Sequence, residues 1–235
     1  MSAMMWFVAL ALLGGALAVD HRAGWQGLLA HPVFASVLIG ALFGEMDAAL
    51  PAGLLIELVH LSIIPMRGGR PADPVTAGVV GSGTAALLSR YGAVADPALL
   101  YAMSVFLGLV AGEAGARITA PFFAVHNRML SGVEFPAGIE RRRLARRLSV
   151  IHLGSVAFIF VIEGLTVLLL GAAAFFAGSA VTRIVEGALV RGAAWWSVLV
   201  WTIGVASIVH LFWQHRFRHW LAALAGLVVI HLWIV

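Results

Sequence analysis

Apolar residues run in long stretches along this chain, broken at a few places by charge, glycine and proline. The first stretch, Ala3 to Val19, ends at Asp20-His21-Arg22 and predicts a helix. It reads as a retained first helix rather than a signal peptide, because no Lys or Arg precedes the apolar run. A semi-polar piece with Trp25 and Gln26 follows and suits the headgroup level of a membrane. Pro32 fits the first turn of the next helix, where its missing N–H is no loss, and that helix runs to Phe43. Glu45-Met46-Asp47 interrupts it, and Ala48 to Ile64 is apolar again apart from Glu57, His60 and Ser62. Neither piece reaches the ~20 residues that cross a bilayer. The pair therefore predicts a broken or re-entrant hairpin around residues 44–74, with two tilted helices and an ordinary turn as the alternative.

Val75 to Leu88 is small and apolar, which suits close helix packing. Pro97 opens a helix running towards Pro121, with Glu113 and Arg117 spaced for an ion pair on one face. Residues 126–149 are expected to form a cytoplasmic loop, because the run Arg141-Arg142-Arg143 and Arg146-Arg147 obeys the positive-inside rule. Apolar helices are predicted over Val150–Phe176, Ala193–Trp213 and Trp220–Val235, with residues 178–192 as an outer loop. The fold class expected is an all-α integral membrane protein of about six to eight transmembrane or re-entrant helices. One membrane domain fills residues 1–235.

Composition supports this pattern. The chain is 62% hydrophobic and 11% charged, against roughly 25% charge in an average soluble domain. Its basic side chains are all arginine, and their placement fits membrane topology rather than nucleic-acid binding. The absence of cysteine excludes a disulfide framework and thiolate chemistry.

The candidate chemistry lies between Glu57 and Asp73, where two carboxylates and a Gly/Pro-rich break stand inside apolar sequence. Lipid tolerates neither exposed charge nor unpaired backbone, so this segment must be covered by protein or line a wet cavity. Carboxylates are strong hydrogen-bond acceptors. Glu57 and Asp73 are thus candidate substrate contacts, with His60 one turn from Glu57 as a further contact or as its structural partner. Arg67, Gly68 and Gly69 complete the candidate set. Other motifs carry less. Gly81-Ser82-Gly83 lacks the lysine and spacing of a phosphate loop. His215 and His219 have metal-ligand spacing but are flanked by Arg216 and Arg218, which fits a basic headgroup-facing turn. An intramembrane enzyme using Glu57, His60 and Asp73 lacks a nucleophile paired with a base. No metal and no cofactor are expected.

Several stretches resemble a known family. Asp20, the phrase from His31-Pro32 through Gly40 to Gly44-Glu45-Met46, Glu57, and Pro65…Gly68…Pro71-Ala72-Asp73-Pro74 are similar to subunit IIC of the mannose/fructose/sorbose branch of the bacterial sugar phosphotransferase system. Asn127-Arg128-Met129-Leu130, Ala137-Gly138-Ile139-Glu140 and Ile151-His152-Leu153-Gly154 resemble its cytoplasmic stretch and return helix. The resemblance implies a multi-pass protein of the bacterial plasma (inner) membrane. It implies a permease subunit that translocates a hexose-type sugar with a second membrane subunit, IID. Soluble IIA and IIB subunits would supply the phosphoryl group, so no phosphoryl-transfer residue is expected in this chain. A trimer of IIC–IID pairs is the implied assembly. Arg67 stands where the family has a glycine, Arg70 at a small or apolar position, Ala72 in place of proline, and Ser62 in place of glycine. A diverged IIC-like scaffold or regulatory subunit without sugar transport is the alternative.

Overall fold

The computed structural model describes residues 3–23, 28–60, 72–133 and 141–212, with few side chains described beyond Ile184. Six α-helices and one short 3-10 turn, Leu28–Ala30, make up the described residues, with no strand among them. The helices are α1 (Ala3–Arg22), α2 (Pro32–Phe43), α3 (Met46–His60), α4 (Pro74–Arg90), α5 (Pro97–Ser131) and α6 (Arg141–Phe212). Among the described residues, three segments are long and apolar enough to cross a membrane: Met4–Arg22, Pro97–Ser131 and Arg142–Ile184. This is the composition of an all-α protein compatible with a membrane.

Helix α4 is the centre of the bundle, packed by all five other helices. Every residue from Val75 to Leu88 is buried. Such a helix has no solvent face and must be small to admit its neighbours. Its partner α5 meets it with Gly108 and Gly112, a Gly-x-x-x-Gly spacing. A Cβ on Gly108 would lie 2.8 Å from the Ala77 carbonyl oxygen and from the Gly81 Cα. The approach is close enough for the Asp73 N–H to donate across to the Gly112 carbonyl at 3.0 Å.

Helices α2 and α3 form a short antiparallel hairpin. Gly44 ends α2 in the left-handed region (φ 68°), and its N–H returns to the Gly40 carbonyl. The Glu45 carbonyl then accepts from Ala48 and Ala49 and starts α3. Pro51 lies inside α3 and has no N–H for the Asp47 carbonyl one turn back. The Tyr101 hydroxyl of α5 donates to that carbonyl at 2.9 Å.

Two expected loops differ from the structure. Residues 178–192 continue α6 as helix instead of forming an outer loop. Charge at Arg183, Glu186 and Arg191 does not break a helix, and no proline is present to do so. The polar stretch 126–149 is also helical to Ser131 and again from Arg141. The expected last helix, Trp220–Val235, and the basic turn with His215 and His219 lie outside the described residues.

Candidate functional site

Asp73 is placed by the sequence Asp-Pro at the start of α4. The residue before a proline is held extended, and an aspartate there caps the helix. Its Oδ1 accepts from the Val75 and Thr76 N–H groups at 3.0 and 3.4 Å. Its Oδ2 accepts from Arg22 Nη2 at 3.1 Å. The same Arg22 nitrogen lies 2.9 Å from Glu163 Oε1, in the first third of α6. The guanidinium also stacks over Phe123 of α5, 4.6 Å from the ring centre. One arginine at the end of α1 therefore ties α4, α5 and α6 together. Asp73 and Glu163 are buried, at 4% and 1% exposure, so removal of the arginine would strand two carboxylates. Asp73 is well supplied with donors. Glu163 has the ion pair alone, and neither of its oxygens has a hydrogen bond among the described residues.

Arg22 and Asp73 form one wall of a cavity of about 790 Å³ between α1, α4, α5 and α6. His21, Thr119, His126, Asn127, His152 and Ser155 supply its other polar groups. His126 Nε2 lies 3.1 Å from Ser155 Oγ, whose own proton goes to the Ile151 carbonyl. The imidazole is then the donor in that contact. Its ring stacks on Phe158 at 4.4 Å, which fixes its plane. The cavity mixes N–H donors, hydroxyls and a carboxylate among apolar walls, the chemistry that receives a hydroxyl-rich solute.

The residues singled out from sequence fall in different places. Asp73 lines this cavity, and Glu57 is not among the residues that do. Glu57 reaches from α3 to the start of α2, where its Oε1 meets His31 Nδ1 at 2.9 Å and its Oε2 accepts from the Val33 N–H at 3.4 Å. It thus caps a neighbouring helix whose own N-cap residue, His31, makes no side-chain cap. His60 bonds the Ile56 carbonyl of its own helix through Nδ1 at 3.0 Å, leaving Nε2 unpartnered among the described residues. Arg67, Gly68 and Gly69 lie outside the described residues. Glu113 and Arg117 form their expected ion pair, 2.6 Å apart on an exposed face of α5.

Sequence reasoning missed Arg22, Glu163, His126 and His152 as cavity or network groups. Glu163 carried a signal: it is the lone acid between Val150 and Phe176, and charge inside a membrane-length apolar helix marks function or a buried partner. At the other end of α4, Arg90 donates to the Phe43 carbonyl at 2.6 Å and lies over the Trp6 ring at 4.9 Å. The neighbouring Ser89 hydroxyl donates to Glu45 at 2.9 Å. Comparison with protein-family models, curated proteins and solved structures returns no match.

Proposed function

We propose that this chain is a IIC-type membrane subunit of a bacterial sugar phosphotransferase system, translocating a hexose-type sugar with a IID partner across the inner membrane. The observation that carries the reading is the polar cavity walled by Arg22 and its buried partner Asp73, set among membrane-length apolar helices. A charged pair that joins membrane-length apolar helices is costly to desolvate and supports a solute pathway. The sequence resemblance from residue 20 to 90 supports the family. In this reading six to eight helices, re-entrant ones included, make up the multi-pass domain, and the short α2–α3 hairpin is the re-entrant element. The cavity opens on the cytoplasmic side, because α5 and α6 carry Arg128 and the arginine run near it. IIA and IIB act there, and IIC–IID pairs assemble as a trimer. Asp73 and the cavity amides and imidazoles contact sugar hydroxyls. Glu57 and His60 lie on the hairpin helix α3, away from the cavity lining, and the sequence-based candidacy of Arg67, Gly68 and Gly69 as sugar contacts stands as part of this proposal.

One observation favours the second reading, a scaffold without transport: each Asp73 oxygen is already engaged, by the helix N-terminus and by Arg22. An experiment separates the two. The chain is co-purified with its membrane partner and Asn127→Cys is titrated with a maleimide in the presence of a panel of hexoses. Protection by a hexose supports the permease; equal labelling with every sugar, in a complex that also fails uptake, supports the scaffold.

A further inference from the structure

We infer that the first turns of α6 form a binding site for anionic phospholipid. Arg142, Arg146 and Arg147 are all exposed. At 100° per residue they fall within about 140° of the helix circumference, on one face. Glu134 and Glu140 precede the run of five arginines, and from Arg141 to the residue before Glu163, which lies against Arg22, the chain has no Asp or Glu, so the arginines outnumber the neighbouring acids. The cations also stand at the helix end whose dipole repels them, so α6 itself gains nothing from the cluster. An anion from outside the helix is the counter-charge that this face fits.

The same face identifies the anion. Val150 and Leu153 continue it, within about 80° of Arg142, and are 64% and 65% exposed. They stand roughly 4–11 Å further along the axis than Arg146 and Arg147. Val161, 51% exposed, extends the stripe. Guanidinium groups followed by bare aliphatic side chains match a phosphate headgroup followed by its acyl chain. A soluble polyanion matches only the first half, so the occupant is a lipid of the same leaflet.

Native mass spectrometry of the full chain, released from neutral detergent with phosphatidylglycerol or phosphatidylcholine, tests this. Phosphatidylglycerol is expected to be retained selectively. Each arginine near a charged surface is worth about fivefold, so Arg142→Gln with Arg146→Gln is expected to weaken retention about 25-fold. Arg142→Lys with Arg146→Lys keeps the charge and is expected to keep retention within about threefold, which separates binding from misfolding. Equal retention of both lipids, or no loss in the glutamine variant, overturns the site. Competition by inorganic pyrophosphate at equal concentration overturns the lipid as occupant and assigns the cluster to a soluble anion.

Discussion

Arg22 and Glu163 meet at 2.9 Å although they belong to the first and the last described helices. Arg22 holds Asp73 with the same nitrogen, so a single cation serves two buried carboxylates. Arg22→Ala leaves both without a counter-charge, and breaking a buried pair this way costs about 3–5 kcal/mol. The variant is expected to unfold at clearly lower temperature in detergent. Adding Glu163→Ala removes one of the two stranded buried carboxyl groups, so the double variant is expected to recover part of the loss. A double variant whose loss equals the sum of the singles would show that the two side chains do not interact.

The α4–α5 contact rests on missing side chains. A methyl group at Gly108 points at backbone on α4, at 2.8 Å from the Ala77 oxygen and Gly81 Cα, and backbone cannot turn aside. Gly108→Ala is expected to cost about 1–3 kcal/mol through overpacking, measured by thermal or denaturant unfolding. Gly154→Ala is the control. It has open space around the new methyl and is expected to be neutral or slightly stabilising, through helix propensity. A Gly108→Ala protein as stable as the parent would mean the helices stand further apart.

Helix starts were legible because they are local. Pro32 and Pro97 announce their helices through backbone geometry within a few residues, whereas Asp73, read as a substrate contact, and Asp96 prove to be the N-caps of α4 and α5. The short hairpin was legible because Glu45 and Asp47 interrupt an apolar run too short to cross lipid. The Arg22 network was not, because a charge pair between distant helices leaves no periodic trace. Arg22 read as the polar end of α1, and Glu57 and Asp73 read as one site because they are close in sequence. In the fold they serve different helix starts, α2 and α4. Residues 178–192 show the converse error: their charges suggest an interruption, but hydrogen bonding along the backbone is indifferent to charge.

Tyr101 gives a double test of how α3 tolerates its proline. Its hydroxyl donates to the Asp47 carbonyl, the acceptor that Pro51 cannot serve. Tyr101→Phe is expected to cost about 0.5–1.5 kcal/mol, the net worth of one hydrogen bond. With Pro51→Ala in place, the backbone regains an N–H at that position, and it serves the Asp47 carbonyl inside the helix. Tyr101→Phe should then have little effect on the unfolding midpoint. If it costs the same in both backgrounds, the hydroxyl acts elsewhere.

The orientation inferred from arginine can be read by chemistry, since the chain contains no cysteine to interfere. Helix α5 has 35 residues, about 52 Å of helix, which exceeds the ~30 Å hydrocarbon core. A helix of that length is enough to cross the bilayer, and crossing would place its two ends on opposite sides. Ala95, just before the helix, and Ser131, at its end, are both exposed. Arg128 and the arginine run of α6 lie at the Ser131 end, and the positive-inside rule assigns that end to the cytoplasm. In intact cells a membrane-impermeant maleimide is expected to label Ala95→Cys and to spare Ser131→Cys until the membrane is opened. The reverse pattern would turn the protein over and put the cavity on the outer side. Labelling of both from one side would mean that α5 does not cross the bilayer, and the permease reading would lose the helix that lines its cavity with Thr119, His126 and Asn127.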